Sequence, residues 1–314
     1  MRYTEINGKK LSDLSLGTVQ LGMRYGIANS HGQPSIAESF ALLDAATSRG
    51  VTSFDTARGY GTSEDVLGAY FKQADCAPFL TTKFGFNDNE DRDDAAVSTD
   101  VVRCVETSLE HLGVKKVDCM LLHNGKHMFT HEKALMDAFD KILAKGYAGM
   151  VGMSVYEPDE VEYFVKNPLL SAIQIPMSLF DQKLIRGGQL DMLAESGKTV
   201  FVRSVFLQGL CFLDPENPRI PALKPYIRPY LLKLRELADA EKIDVAQFCL
   251  SFIRDLPGVT SLVLGAETTA QVEQNVAYID GPALSDGARA EVMDAFRDFP
   301  FEVIMQVLRD NYGK

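Results

Sequence analysis

Eight short apolar runs recur along the chain, separated by stretches in which apolar residues return every three or four positions. The runs are LSLGTV (14–19), VTSFDTA (51–57), FLTTKFG (79–85), VDCMLLH (117–123), GMVGMSV (149–155), AIQIPMS (172–178), TVFVRSV (199–205) and SLVLGAE (261–267). Their apolar residues are contiguous rather than alternating, the pattern of strands buried on both faces in a parallel sheet. Helical period marks 35–50, 63–72, 98–113, 132–145, 157–166, 188–196, 229–241, 245–254 and 269–279. Ser35 is the expected N-cap of the first, with Gly50 past its end, and Ser98 and Gly113 repeat that design. Eight strand–helix units in about 250 residues predict an α/β fold, a closed (β/α)8 barrel rather than an open doubly wound sheet.

Three segments fall outside the repeat. RYTEINGKKLSD reads as a β-hairpin turned at Asn7-Gly8, expected to cover the N-terminal end of the barrel. Residues 207–229 hold five prolines and little periodicity, which suits a binding loop or lid, or an insertion without structure of its own. The tail after Gly281 predicts extra helices on the outside or across one end. No linker interrupts the pattern, so residues 1–314 are expected to form a single barrel domain.

Composition narrows the partners. The chain is 46% hydrophobic and 24% charged, ordinary globular usage. A net charge of −11 without a basic tract argues against nucleic acid or an anionic membrane as partner. The apolar runs are too short to span a bilayer. Five scattered cysteines, with no C-x-x-C, read as reduced thiols and give no metal site. The expectation is a cytoplasmic protein, monomeric by default.

In a parallel barrel the C-terminal ends of the strands open on one face, where catalytic side chains gather. Asp55, Lys83 and His123 close the second, third and fourth runs, and Tyr60 follows in the second turn. Alone, each has a plain reading: a turn-forming aspartate, a Schiff-base lysine, a satisfied interior histidine. Together they suit carbonyl reduction. A phenol titrates near ~10, too high to protonate an alkoxide well at neutral pH. A neighbouring ammonium favours the phenolate, a carboxylate keeps that ammonium charged, and an imidazole can hold the carbonyl oxygen.

These segments resemble the aldo-keto reductases, in a bacterial branch. FDTARGYG matches the family's D-T-A-x-x-Y element, LTTKFG its lysine strand and VDCMLLHNG its histidine strand, and the likeness runs from LSLGTVQLG to VEQNVA. The resemblance implies an NAD(P)H-dependent reductase of an aldehyde, ketone or sugar carbonyl, or the reverse reaction, with Asp55, Tyr60, Lys83 and His123 catalytic and Tyr60 the proton donor. It implies Ser154 and Gln174 as ligands of the nicotinamide amide, although Val155 replaces the usual asparagine. Arg203 stands where an aromatic ring usually stacks on the nicotinamide, followed by Ser204 and by Gly209 on the pyrophosphate side. A salt-bridged surface arginine is its plain alternative. Gly265, Gln271 and Asn275 fall in the adenosine segment, with Gly265, Ala266 and Gln271 replacing the usual lysine, serine and arginine. Glu267 lies beside them. NADPH is the implied cofactor, with NADH possible.

Two other readings fit parts of the pattern. A lysine-dependent aldolase or isomerase explains Lys83 but leaves Ser154 and Gln174 idle. A cofactor-sensing partner subunit keeps the fold without much turnover. The LGTVQLGMRYGIAN and RSVFLQGL segments resemble relatives found beside sugar-modifying genes, which favours a sugar-like carbonyl. Candidate pocket walls are residues 20–36 with Tyr25, then Phe84, Tyr156 and the 207–229 segment.

Overall fold

A computed structural model describes residues 1–27, 29, 31–74, 76–85 and 93–312. Two strands form the hairpin, β1 (Tyr3–Ile6) and β2 (Lys9–Ser12). Eight more follow: β3 (Leu14–Gly17), β4 (Ser53–Asp55), β5 (Phe79–Phe84), β6 (Val117–Leu122), β7 (Ala148–Ser154), β8 (Ala172–Pro176), β9 (Thr199–Arg203) and β10 (Ser261–Gly265). They pair in parallel in chain order, and β10 closes on β3 through Leu262 opposite Leu14 and Leu264 opposite Leu16. The eight runs therefore form the expected closed barrel with helices around it.

The hairpin turns at Asn7 (φ 51°) and Gly8 (φ 77°), the two successive positive angles of a tight two-residue turn. It lies across the N-terminal end of the barrel. Leu11 is fully buried there with Phe79, Cys119, Leu121, Met150 and Phe201. Lys9 Nζ reaches the Asp118 carboxylate at 2.9 Å and the Pro78 carbonyl at 3.1 Å, both at the starts of strands.

Helix boundaries depart from the sequence reading in three places. The helix expected from Ser98 begins one turn earlier, at Asp94, and Asp93 caps it by accepting from Ala96 N at 2.8 Å. Val97 and Val101 extend the apolar stripe upstream, and Asp93 is an equally good cap. Ser98 is instead buried inside the helix, its hydroxyl donating to Asp137. The helix expected over 132–145 spans His127–Ala144, with a kink at His131. The 207–229 segment is not structureless. It holds 3₁₀ turns at Leu207–Phe212 and Pro221–Leu223, then the first turns of a helix over Lys224–Glu241. That helix tolerates Pro229 because Ile227, Leu231 and Leu234 bury its inner face on either side.

The tail forms helices over Asp286–Ala295 and Phe301–Tyr312. Phe299 between them stacks on Phe180 at 4.3 Å and meets the edge of Tyr230 at 5.0 Å. The tail thus leans on the segment after β8 and on the 224–241 helix. Among the described residues no helix is long and apolar enough to cross a membrane.

Candidate active site

Three adjacent strands end in the polar cluster. Asp55 is the last residue of β4, Lys83 lies one residue from the end of β5, and His123 follows β6 directly. Tyr60 is brought back over them by the turn after β4, where Arg58 N donates to the Lys83 carbonyl and Tyr60 N to that of Ala57. The neighbouring segment presses close. Thr18 donates twice to the Asp55 carbonyl, from N and from Oγ1, both at 2.9 Å. A Cβ on Gly22 would stand 1.8 Å from the Tyr60 carbonyl oxygen, so only glycine lets these two backbones meet.

Lys83 is fully buried. Its Nζ donates to Asp55 Oδ1 at 2.6 Å and to the Thr56 carbonyl at 2.9 Å, and Tyr60 Oη lies 3.5 Å away. The other carboxylate oxygen of Asp55 accepts from Gln174 Nε2 at 2.8 Å. Burial by itself would push the Lys83 ammonium down, but the adjacent Asp55 charge and then the Tyr60 oxygen outweigh it and hold the lysine above its ordinary value. The His123 ring stands edge-on to Tyr60 with centroids 5.5 Å apart. Desolvation, then the charges of Lys83 and Arg203, lower its pKa to about 4, so the imidazole is neutral at pH 7.

A cleft of about 850 Å³ opens above this cluster and runs past Gln174, Arg203, Ser204 and Gly209 to Gly265, Gln271 and Asn275. Ser154, 1% exposed, does not line it. The side-chain oxygen of Gln174 is buried with no hydrogen-bond partner among the described residues, as is that of Gln20. Tyr25, Tyr156 and Phe212 form walls, as the sequence suggested. Phe84 does not. Side chains alternate along β5, so with Lys83 turned into the barrel Phe84 turns outward, where it packs on Phe139 at 5.8 Å.

Residues 13–294 match the model of the Aldo/keto reductase family. The chain belongs to that family. This aldo/keto reductase is 26% identical to an L-glyceraldehyde 3-phosphate reductase of Escherichia coli O157:H7, over 93% of this chain and 90% of that one. It is 25% identical to a D-threo-aldose 1-dehydrogenase of a Pseudomonas species, covering 82% of this chain and 88% of the other. In fold it is similar to an aldo-keto reductase of Bacillus halodurans solved in a holo form, with a TM-score of 0.77, 20% identity, and coverage of 94% and 96%.

One feature of this aldo/keto reductase escapes the sequence reading, the packing of Arg203 on Tyr156. Arg203 is neither exposed nor ion-paired with a carboxylate among the described residues. Its guanidinium lies 4.4 Å over the Tyr156 ring and donates to the Val155 carbonyl at 3.2 Å. Glu160, fully buried, fixes that tyrosine by accepting from Tyr156 N at 2.7 Å. Gln20, in the 20–36 segment expected to wall the pocket, lines the cleft and packs over Gly265. The loops around it are tied together: Ile27 N donates to the Gln208 carbonyl at 3.0 Å, and Arg219 donates to the carbonyls of Ile27 and Asn29. Ser204, Leu207 and Gln208 take positive φ there (66°, 45° and 56°), backbone strain gathered at the cleft.

Proposed function

We propose that this protein is a nicotinamide-dependent reductase of small aldehydes, ketones or sugar-like carbonyls, working reversibly, with Tyr60 as proton donor. The observation that carries this reading is the charged Lys83 held between Asp55 and the Tyr60 oxygen, beside a neutral His123, at the foot of the cleft. A lysine kept protonated is a poor Schiff-base nucleophile, which disfavours the aldolase reading.

A nicotinamide dinucleotide fits the residues present. Gln174 lines the cleft with a buried side-chain oxygen, unpartnered among the described residues, which the N–H of a carboxamide would satisfy. Gln174 would hold the nicotinamide end, Ser204 and Gly209 the pyrophosphate, and Gly265, Gln271 and Asn275 the adenosine end. Arg203 would border the nicotinamide, with one face of its guanidinium already covered by Tyr156. Bound there, the cofactor supplies the hydride.

The chain's own residues handle the proton. His123, neutral, would donate a hydrogen bond to the substrate carbonyl oxygen and hold it near Tyr60 Oη. Tyr60 then gives its phenolic proton to that oxygen as negative charge develops on it. The phenolate left behind faces the Lys83 ammonium, whose charge Asp55 and the Thr56 carbonyl keep in place. Gln174 has a second task, since its amide N–H occupies the outer oxygen of Asp55 and leaves Lys83 the inner one.

A single barrel domain acting as a cytoplasmic monomer completes the proposal. The test is a panel of aldehydes, ketones and aldoses, followed by loss of reduced-cofactor absorbance with NADPH and with NADH. Turnover of at least one carbonyl class is expected. A panel without turnover, from a protein that binds cofactor, would sink the proposal.

A further inference from the structure

The two ends of the cleft differ in charge. Arg203 is the one guanidinium or ammonium among the described residues that line it, and it sits at the catalytic end, packed on Tyr156. The adenosine end carries two carboxylates, Glu267 and Asp244, and no cation. Asp244 is occupied, capping its helix through Gln247 N and accepting from Tyr278 Oη. Glu267 is half-buried at the mouth of the 269–279 helix, and among the described residues its carboxylate accepts no hydrogen bond. Desolvation raises its pKa, opposed by His31, which itself lies 3.7 Å from Glu38.

Two backbone N–H groups that could face a second phosphate at this end are already used. Gln271 folds back so that its side-chain oxygen accepts from Glu267 N at 2.6 Å, and Gln271 N donates to Thr268 Oγ1 at 3.3 Å. At Gly265 a Cβ would come within 2.5 Å of Gln20 Nε2, so Gln20 takes the space that a longer side chain would need. A ribose 2′-phosphate carries close to two negative charges at neutral pH. Here it would meet an acid and no side-chain cation among the described residues that line this end. A ribose 2′-hydroxyl can donate to the Glu267 carboxylate instead, the way an acidic residue selects NAD in other dinucleotide folds.

We infer that this protein uses NADH, with Glu267 as the residue that accepts the adenosine ribose hydroxyl and turns NADPH away. This rests on the cleft being the dinucleotide site proposed above. The test is calorimetric titration of the full-length protein with NADH and with NADPH, without substrate. Wild type should bind NADH at least about tenfold more tightly, since NADPH would bring like charges together at Glu267. Glu267→Gln should shrink that ratio by weakening NADH and strengthening NADPH, and Glu267→Arg should reverse it. NADPH binding as tightly as NADH to wild type overturns the inference alone, as does a ratio unchanged in both variants. Binding of neither dinucleotide overturns the inference together with the proposed function.

Discussion

In the proposed mechanism Tyr60 and His123 do different things to one oxygen atom, so experiment can separate them. Tyr60→Phe keeps the ring that borders His123 and removes the hydroxyl that would give the proton. Turnover should fall ~10²-fold or more while cofactor affinity is kept, and near-normal turnover with a good substrate would remove Tyr60 from the chemistry. His123 gives a different signal. Its folded pKa of about 4 lies below the ~6.5 of an unfolded histidine. Between those values the unfolded chain takes up a proton that the folded one refuses. The stability associated with His123 is thus fully present above pH ~6.5 and falls as the pH drops towards about 4. The His123 ring signals in an NMR titration should move with a midpoint near 4, and this part of the pH-dependent stability should vanish in His123→Asn. A midpoint near 6.5 would show the ring to be solvated. Lys83 and Asp55 were legible from the sequence because a strand-end position and a charge suffice to find them. The Gln174 link to Asp55 was not, since it joins residues 119 apart in the chain across the barrel interior.

At the scale of elements, apolar periodicity located nearly every strand and helix, and its errors have a common cause. Residue type alone does not distinguish Ser98 from Asp93 as a cap. What separates them is whether the side chain meets a free N–H or a buried carboxylate, which depends on the neighbouring helix carrying Asp137. Asp93→Ala should therefore lower stability by ~1 kcal/mol through loss of a cap. Removing the Ser98 hydroxyl should act through Asp137 and leave the helix start in place. Urea unfolding together with amide exchange over residues 94–98 tests both. Short turns such as Val19–Gly22 and Lys183–Arg186 were beyond periodicity altogether, being about one turn long. Prolines at 225 and 229 hid the start of the 224–241 helix for a related reason. They break the local pattern, while the burial of Ile227 and Leu231 that compensates is tertiary.

For the molecule as a whole, the hairpin closes one end of the barrel and the proposed site lies at the other. Leu11→Ala should cost ~2–5 kcal/mol as a buried leucine leaving a cavity, yet leave kcat and KM at 25 °C unchanged. A large kinetic effect without unfolding would show the two ends to be coupled. The order of strands and the face that carries the site followed from the sequence, because a parallel barrel leaves little topological choice. The choice of dinucleotide did not. Family resemblance implied NADPH, whereas the charge at the far end of the cleft favours NADH, and that depends on where Gln20, Glu267 and Gln271 come to rest.

The four residues Val19–Gly22 touch both ends of the cleft. Gln20 lies over Gly265 at the adenosine end, and Gly22 is pressed against the backbone of Tyr60, with Gly61 closing from the other side. For an engineer, this single helical turn is a shared part. The segment carrying Tyr60 cannot be exchanged for a relative's without residues 18–23 travelling with it. A side chain built in at position 265 would meet only the far end of Gln20, which can swing aside. At Gly22 and Gly61 the neighbours are backbone atoms that cannot, so a redesign around Tyr60 has to begin at this turn.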